Sequence, residues 1–405
     1  MEGLCAFVLK SSHIGMVSVP VNNNQRNLSE GSDMAKKTVN VAIIGGNFMG
    51  KAHSNGWRKV DMFFNDLPVK PVMKVMCDKS KDALENAERY GWQETSEDWK
   101  EVVNRPDIDI IDICTPNFLH TEMAIEAAKA GKHIVCEKPL ANTLKEAKAM
   151  LAAAEKSGVK HMCGFSYRFA PAVQTMKNMI SKGELGEIFH FRAAYQQDWI
   201  VDPDFPMVWR LKKKHTGSGA LGDIGAHITD LCHFLVGDVC EVTSALQTFI
   251  DKRVVPDSDV GAWDAKSGTG KKVYDTVDVD DAAVFIGRIK DAKTLATFEA
   301  TRFAPGRRNY NCVEVYGSKG SLIWNQEDMN QFEYFNRADA ATVQGFRKVL
   351  ACDIGHPYVH AWWPPGHIIG YEHLFVHEIY EFLCGLGKKK ISYPTFADAV
   401  KCQSV

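Results

Sequence analysis

The sequence predicts an α/β protein of two domains, in which a doubly wound parallel sheet is followed by an α+β domain with a large, mostly antiparallel open sheet. Short apolar strands alternate with helices from residue 38 to residue 164, and this order with short turns is typical of a parallel sheet. After residue 165 most strand patterns follow one another without room for a crossover helix, which favours antiparallel pairing. The length of 405 residues is also too great for one ordinary domain.

The first domain is expected to span residues 37–164. Apolar, often β-branched runs predict its strands at residues 39–44, 72–77, 108–114, 133–136 and 160–164. Its helices are expected at residues 51–62, 80–90, 119–130 and 143–156. Thr143 is a candidate N-cap with Glu146 at the capping-box position. The run at 108–114 is almost wholly apolar, as expected of a strand that is buried on both faces.

The second domain is expected to span residues 165–405 and to serve substrate binding and oligomerisation. Strands are predicted at residues 187–195, 242–250, 282–286, 295–301, 312–317 and 321–324, with one helix at 219–235. An open sheet of this kind covers one face with helices, and a second copy of the chain is the common cover for the other face. Residues 1–36 show no periodicity and predict a flexible leader, with an oligomerisation arm as the alternative.

Composition excludes several classes of function. The formal net charge of −2 provides no basic surface for nucleic acid, and the sequence contains no apolar run of the roughly 18 residues that a membrane-spanning helix needs. The eleven cysteines stand singly, without a C-x-x-C pair, and the N-terminus lacks a recognisable signal peptide. These features predict reduced thiols and a cytoplasmic protein.

A glycine-rich turn is the first candidate cofactor site. It follows the first strand and opens the first helix, and its residues are Gly45, Gly46, Asn47, Phe48, Met49 and Gly50. In that position backbone N–H groups and the helix dipole face a dinucleotide pyrophosphate. Asn47 replaces the middle glycine of the usual motif, and asparagine tolerates a left-handed backbone. The alternative is a glycine turn without a ligand.

Three further strand ends complete the expected cofactor site. Asp78 ends the second strand, where a carboxylate binds ribose hydroxyls and favours NAD over NADP; the alternative is a cap for the helix near Ser80. The other candidates follow the next two strands at the carboxyl edge of the sheet, where ligands of such sheets bind: Thr115, Pro116, Asn117, His120, Glu137 and Lys138. A plain turn at 114–117 and a solvated lysine are the alternatives.

A glycine-flanked helix carries the candidate catalytic group. Asp223, His227 and Asp230 lie four and three residues apart, so they share one helix face. Carboxylate neighbours can raise the basicity of His227, which suits a base that takes a hydroxyl proton while hydride leaves the same carbon. An ordinary surface pair is the alternative, but the surrounding glycines favour close approach of another group.

Three motifs together resemble the Gfo/Idh/MocA family of sugar oxidoreductases: the glycine turn at 45–50, Glu137-Lys138-Pro139, and the helix with Gly222, Asp223, His227 and Asp230. The resemblance extends from about Lys37 to the C-terminus. The segment at residues 362–373 is similar to the branch that includes levoglucosan dehydrogenase and glycoside 3-oxidases, among them gut-bacterial enzymes that act on the C-glycoside puerarin. The resemblance implies NAD as cofactor, a Rossmann domain and hydride transfer from a secondary hydroxyl, expected at C3 of a glucosyl unit. It leaves open whether NAD exchanges at each turnover or stays bound.

The resemblance also implies roles for individual residues. Lys138 would hydrogen-bond the reacting hydroxyl, His227 would be the general base, and Asp223 would orient it or bind a neighbouring hydroxyl. The expected lining of the sugar pocket is Tyr167, Arg168, Trp199, Arg210, Asp223, His227, His367 and Tyr371. Relatives usually continue beyond the position of Val405, so the last helix is expected to be interrupted there.

Three alternatives stay open from the sequence. The first is an NAD-dependent enzyme that cleaves glycosides through transient C3 oxidation, and the second is an NAD-binding protein without catalytic activity. Lys138 together with His227 argues against the second. The third is a metal site at His367, His373, His377 and Glu378; we expect none, because these residues do not complete a recognised ligand spacing.

Overall fold

The computed structural model describes residues 36–256, 272–389 and 391–405. Except for Lys36, the predicted leader lies outside these residues. All described elements belong to one compact unit, residues 36–405. The boundary predicted between residues 164 and 165 stays a prediction.

The first sheet has six parallel strands in the order β3-β2-β1-β4-β5-β6. This is the strand order of a dinucleotide-binding Rossmann fold. The chain adds β2 and β3 on one side of β1 and then β4, β5 and β6 on the other side, so the strand order reverses between β1 and β4. The strands are β1 (Lys37–Ile44), β2 (Val69–Cys77), β3 (Glu94–Ser96), β4 (Ile110–Ile113), β5 (His133–Cys136) and β6 (His161–Cys163). The predicted parallel, doubly wound sheet is therefore confirmed.

The helices of this part connect successive strands. They are α1 (Phe48–Phe63), α2 (Lys81–Leu84), α3 (Ala87–Tyr90), α4 (Trp99–Asn104), α5 (His120–Lys129) and α6 (Leu144–Ser157). The Thr143 hydroxyl accepts a hydrogen bond from the Glu146 backbone N–H, so the predicted cap of α6 is confirmed. The single helix predicted at residues 80–90 is wrong, because the chain forms two short helices there. The short elements β3 and α4 were not predicted.

The second sheet has eight strands in the order β16-β15-β14-β13-β7-β12-β11-β8. Only the β7–β12 pair is parallel, so the predicted mostly antiparallel sheet is confirmed. Its strands are β7 (Ile188–Gln196), β8 (Val239–Gln247), β11 (Ala282–Ile289), β12 (Leu295–Thr301), β13 (Tyr310–Gly317), β14 (Gly320–Asn325), β15 (Gln331–Asn336) and β16 (Arg347–Leu350). A separate hairpin pairs β9 (Lys252–Val254) with β10 (Tyr274–Thr276).

The helices that accompany this sheet are α7 (Pro171–Ser181), α8 (Lys213–Thr216), α9 (Ala226–Leu235), α10 (Glu372–Gly385) and α11 (Phe396–Ser404). Helices α7 and α9 pack on its strands, α10 packs on α1, and α11 packs on α6 and α9. A π-helical turn, Leu221–Gly225, leads into α9. Helix α10 packs closely on α1, because a Cβ added at Gly56 would lie 2.7 Å from Cδ1 of Ile379.

The predicted strand at residues 242–250 is displaced in the structure. Strand β8 ends at Gln247, because the carboxylate of Asp281 accepts the backbone N–H groups of Phe249 and Ile250. Those two residues therefore have no strand partner to pair with. Among the described residues, no helix combines the length and apolar character needed to cross a membrane.

Candidate active site

The glycine turn between β1 and α1 has the geometry of a pyrophosphate cradle. Gly45 has a φ of +102°, which favours glycine, and a Cβ at Gly50 would lie 1.9 Å from the Gly45 carbonyl oxygen. The N-cap of α1, Asn47, makes no side-chain cap hydrogen bond. The first N–H groups of α1 thus lack a side-chain cap, as an anion site at a helix N-terminus requires.

The backbone of Asn47 and the contacts of Asp78 differ from the expected geometry of this turn. Asn47 has a φ of −76°, so the left-handed backbone expected there is wrong; the left-handed residue is Gly45. The alternative role of Asp78 as a helix cap is wrong, because Ser80 caps α2 by accepting the Ala83 N–H, while the role of Asp78 in ribose binding stays a prediction. Its carboxylate accepts the Gly46 N–H at 2.7 Å and the Ser80 N–H at 2.8 Å, which ties the end of β2 to the glycine turn.

The loop after β4 is held by its own polar side chains. His120 is buried, and its ring nitrogens lie 2.9 Å from the Thr115 carbonyl oxygen and 3.1 Å from that of Pro139. His120 therefore joins two loops at the carboxyl edge of the sheet. Pro116 precedes a short 3₁₀ turn, while Phe48 and Met49 lie at the start of α1, with Phe48 exposed.

Asn117 connects the first sheet to the segment before the π-helical turn. Its amide donates to the Asn142 side-chain oxygen at 2.8 Å and to the Thr216 carbonyl at 3.1 Å. Asn142 in turn donates to the His215 carbonyl at 3.1 Å. Asn117 is buried, and its amide nitrogen links the loop after β4 to Asn142 and to the carbonyl of Thr216.

An ion cluster joins the two sheets. Lys138 follows β5, and its Nζ lies 3.1 Å from Oδ1 of Asp223 and 3.0 Å from the Asp223 carbonyl oxygen. Arg302, directly after β12, donates to the other oxygen of Asp223 at 2.8 Å. Burial alone would raise the pKa of Asp223, but Lys138 and Arg302 lower it well below its usual value. Lys138 and the glycine-flanked helix therefore meet in this cluster.

His227 lies on the first turn of α9, four residues after Asp223. Its ring is buried against Tyr167, with ring centroids 4.7 Å apart. The prediction of raised basicity is wrong: burial first, and then the charge of Lys138, lower the pKa of His227 well below 6.5. The imidazole is therefore neutral at physiological pH and can accept a proton.

The π-helical turn explains why Asp223 does not orient His227. A π-turn is wider than an α-turn and interrupts the i to i+4 register, so the two side chains do not stack as predicted for a continuous α-helix. The carboxylate of Asp223 contacts Lys138 and Arg302 instead. Asp230, the third member of the predicted face, forms a bidentate ion pair with Arg168.

The start of this turn is held by Asp280, which precedes β11. Its carboxylate accepts the N–H groups of Gly219 and Leu221, both at 2.7 Å. A Cβ at Gly219 would lie 1.8 Å from the Asp280 carbonyl oxygen. Glycine is therefore required at position 219, and Asp280 fixes where the helix with Asp223 and His227 begins.

A chain of hydrogen bonds borders His227 on the side of β7. Tyr195 donates to the Asn309 side-chain oxygen at 2.7 Å, so its oxygen accepts from the Tyr167 hydroxyl at 2.6 Å. Gln197 also donates to Asn309, at 2.9 Å, and Trp199 donates to Gln197 at 3.1 Å. The hydroxyl of Tyr167 thus donates its hydrogen bond to Tyr195, and the ring of Tyr167 packs against His227.

The remaining candidates for the sugar pocket differ in position. Arg168 is buried in its ion pair with Asp230, which places it beneath the site. Arg210 lies near Asp223 and over the ring of Trp209 at 4.4 Å. His367 is exposed, and its Nδ1 lies 2.8 Å from the Pro364 carbonyl oxygen. Tyr371 packs 6.3 Å from the ring of Tyr167.

Sequence reasoning missed several residues of the site. Arg302, Tyr195 and Asn309 reach it only because β12 and β13 both pair with β7, and none of them belongs to a local motif. The glycine at position 219 was noted, but its partner Asp280 lies 61 residues away along the chain. A charged residue directly after a predicted strand was the only signal for Arg302.

The three histidines considered as metal ligands, His367, His373 and His377, form hydrogen bonds in this structure. The Trp362 indole donates to Nε2 of His377, and Nδ1 of His377 lies 2.9 Å from the Phe169 carbonyl oxygen. Among the described residues, one group of three has potential ligand atoms close together, namely His53, Asp112 and Cys114. The imidazole of His53 contacts carboxylates there at hydrogen-bond distances.

Comparison with known proteins now decides the family. Residues 39–165 match the profile of an oxidoreductase family with an NAD-binding Rossmann fold, and residues 173–323 match the GFO/IDH/MocA C-terminal domain. The chain belongs to the Gfo/Idh/MocA family. This confirms the family resemblance, the NAD-binding Rossmann fold and the class of enzyme, an NAD-dependent oxidoreductase.

Individual members of the Gfo/Idh/MocA family share much of the chain. Levoglucosan dehydrogenase of Pseudarthrobacter phenanthrenivorans is 40% identical over 364 residues, which cover 89% of this chain and 93% of that protein. A solved structure of levoglucosan dehydrogenase in complex with NADH is 39% identical, with a TM-score of 0.84 and coverage of 91% and 94%. Glucose-6-phosphate 3-dehydrogenase of Bacillus subtilis is 26% identical over 295 residues, which cover 72% and 76% of the two chains.

Proposed function

We propose that this oxidoreductase oxidises a secondary hydroxyl of a sugar, at C3 of a glucosyl unit in a glycoside, to a ketone. The observation that carries the proposal is the contact of Lys138 with Asp223, one turn before a neutral His227. A proton donor and a proton acceptor thereby lie close enough for the charge of Lys138 to act on His227, at the carboxyl edge of the NAD-binding sheet. That edge is where the reacting part of a dinucleotide is expected.

The residues of the site would divide the chemistry between them. The neutral imidazole of His227 takes the hydroxyl proton, while the ammonium group of Lys138 donates a hydrogen bond to the same oxygen and stabilises its developing negative charge. Asp223 holds Lys138 in place through its side chain and its carbonyl oxygen. Bound NAD supplies the acceptor for the hydride that leaves the carbon as the ketone forms. The residues expected to hold NAD are those of the glycine turn, Asp78 and the loops after β4 and β5.

The proposed substrate class rests on the pocket and on the relatives. Trp199 lies under the guanidinium of Arg302 at 5.5 Å, and Arg210 covers Trp209, so aromatic faces and polar forks adjoin the ion cluster. Pyranoses are bound by such combinations. Two relatives are named as dehydrogenases of levoglucosan and of glucose 6-phosphate at C3, which supports a glucosyl unit and its C3 hydroxyl.

Two variants test the proposal. Lys138→Ala and His227→Ala should each lower kcat by at least about tenfold, while NAD binding persists, because the pyrophosphate turn is unchanged. Lys132→Ala is the matched control: Lys132 is also buried but precedes β5 and donates to the carbonyls of Arg105 and Ile108. Near wild-type turnover in either active-site variant would remove that residue from the mechanism.

Product analysis separates this proposal from its alternative. Incubation with NAD and a panel of glucosides should yield a keto-sugar that retains its aglycone. A glycoside-cleaving enzyme that oxidises C3 transiently would instead release the aglycone and return NAD to its oxidised form. Release of aglycone with no keto-sugar would overturn oxidation as the net reaction.

We also propose that two copies of the chain associate through the open face of the second sheet. Val284, Ile286 and Leu295 lie on that face of β11 and β12 and are exposed, and apolar sheet faces of this kind mark interfaces. Sedimentation of the purified chain as a monomer would refute this.

The ten described cysteines are free thiols, nine of them buried, which supports the predicted cytoplasmic location.

A further inference from the structure

A buried ionic chain lies behind Lys138 and takes no part in the chemistry proposed above. His53, on α1, places Nδ1 at 3.0 Å from a carboxylate oxygen of Asp112 in β4 and Nε2 at 2.9 Å from Oε1 of Glu137. All three side chains are buried, with His53 only 1% exposed. The imidazole therefore bridges two carboxylates, one on β4 and one directly after the neighbouring strand β5.

The hydrogen bonds of this chain assign the proton positions. Ionised carboxylates only accept hydrogen bonds, so an imidazolium, with a proton on each ring nitrogen, can donate to both partners of His53. Burial alone would lower the pKa of His53, but Asp112 raises it well above 6.5, in agreement with an imidazolium. Asp112 also accepts from the Trp57 indole at 2.6 Å, which fixes the far end of the chain.

Glu137 transmits this anchor to the active site. Its Oε1 accepts from His53, and its Oε2 accepts the backbone N–H of Lys138 at 3.2 Å. A Cβ at Gly164 would lie 2.6 Å from Oε1 of Glu137, so the neighbouring strand leaves room for this carboxylate. The side chain of Glu137 is thus held at both oxygens, directly beside the backbone that carries Lys138.

A third carboxyl group, that of Glu378, lies near Asp112 and Glu137. Glu378, on α10, is buried with neither oxygen hydrogen-bonded among the described residues. Burial raises its pKa well above the usual value, and Glu137 and Asp112 raise it further, against the charge of His53. These shifts favour the neutral form of Glu378, and among the described residues His53 is the one basic side chain that contacts both Asp112 and Glu137.

We propose that His53 is a positioning residue, which holds Glu137 fixed against the backbone of Lys138 and thereby sets the position of the Lys138 ammonium group. The inference rests on the proposed role of Lys138. A misplacement of about 1 Å at a reacting group can lower turnover a hundredfold, so an anchor on the adjacent residue has a catalytic effect without touching the substrate. The contacts run from His53 through Glu137 to the backbone of Lys138 and involve no backbone N–H group of the glycine turn, so the effect falls on kcat.

The test is His53→Gln, which keeps a side chain of similar length but cannot carry a charge. We expect kcat to fall about tenfold per folded enzyme, with the KM for NAD within about threefold of wild type. The double variant His53→Gln/Glu137→Gln should then have the kcat of Glu137→Gln alone, because His53 acts through Glu137. Effects that multiply, or a kcat of His53→Gln within twofold of wild type, would overturn the inference.

The matched control is His377→Gln, on the neighbouring helix α10. His377 is also buried, and its ring also bridges two partners, the Trp362 indole and the Phe169 carbonyl. Its replacement should lower thermal stability and leave kcat unchanged. If the two histidine variants lose the same fraction of kcat, the role of His53 is only structural and the proposal is wrong.

Two further variants keep the outcomes distinct. If His53→Gln does not fold, Asp112→Asn removes the charge that holds the imidazolium and should give the same loss of kcat; wild-type turnover in that variant would refute the proposal. Loss of turnover in Lys138→Ala but not in these variants refutes only the positioning role. Full turnover in Lys138→Ala refutes the proposed function itself.

Discussion

Replacement of Asp223 by asparagine should affect both stability and the pH profile. The carboxylate of Asp223 contacts Lys138 at 3.1 Å and Arg302 at 2.8 Å, and asparagine keeps its size without its charge. Loss of one partner of a buried ion pair costs about 3–5 kcal/mol. Since the side chain of Asp223 remains 22% exposed, we expect a loss near the lower end, about 3 kcal/mol.

The same variant has a distinct kinetic signature. Asp223 raises the pKa of His227 against burial and the charge of Lys138, so its neutralisation should lower that pKa further. In the wild-type enzyme the acidic limb of the kcat/KM profile is expected below pH 6.5, and in the variant it should move to still lower pH. Turnover should fall less than in Lys138→Ala, because Lys138 keeps its hydrogen bond to the Asp223 carbonyl.

Urea denaturation and pH-dependent kinetics measure these two effects. Glu122→Gln is the control, because Glu122 forms an exposed ion pair with Lys100, and such pairs contribute little; its denaturation midpoint should not move. An Asp223→Asn enzyme with the stability of wild type would show that the ion cluster does not contribute to the free energy of unfolding. A shift of the acidic limb to higher pH would contradict the electrostatic reasoning about His227.

Two further predictions follow from buried groups. Gly50→Val should abolish NAD binding in a fluorescence titration, because even a Cβ would lie 1.9 Å from the Gly45 carbonyl oxygen; a variant that retains NAD would place the pyrophosphate elsewhere. His377→Gln should be less stable than wild type at pH 7, and the difference should shrink as the pH falls. Burial lowers the folded-state pKa of His377 to about 3, so the wild type loses about 1.4 kcal/mol per pH unit relative to the variant between pH 6 and 4. Urea denaturation at several pH values measures this difference, and a constant difference would show that His377 is not buried in neutral form.

The fold was accessible from sequence where local pattern and tertiary structure agree. The apolar run at 108–114 and the glycine turn at 45–50 are local signals, and both predicted the first sheet correctly. The second sheet was predicted in kind but not in detail, because Asp281 ends β8 by capping backbone groups that are distant in sequence. Short elements such as β3 have too few residues for a periodic pattern.

The site was accessible only in part for a related reason. Lys138 and Asp223 lie next to recognisable motifs, and the structure brings them together. The position of Arg302 depends on which strands are neighbours in the second sheet, and the behaviour of Asp223 depends on a π-helical turn. A sequence pattern read with α-helical spacing contains neither piece of information.

The attachment of Gly219 to Asp280 has a consequence for how the enzyme can change. The helix that carries His227 begins where the carboxylate of Asp280, just before β11, accepts the Gly219 N–H. The backbones at 219 and 280 are in such close contact that a Cβ at position 219 would clash with the Asp280 carbonyl oxygen. Substitutions at position 219 therefore need a compensating movement of the chain at 280, so the two positions should vary together among descendants of this sequence. Libraries that diversify the segment before β11 should therefore change where the helix that carries His227 begins, without changing any residue of that helix.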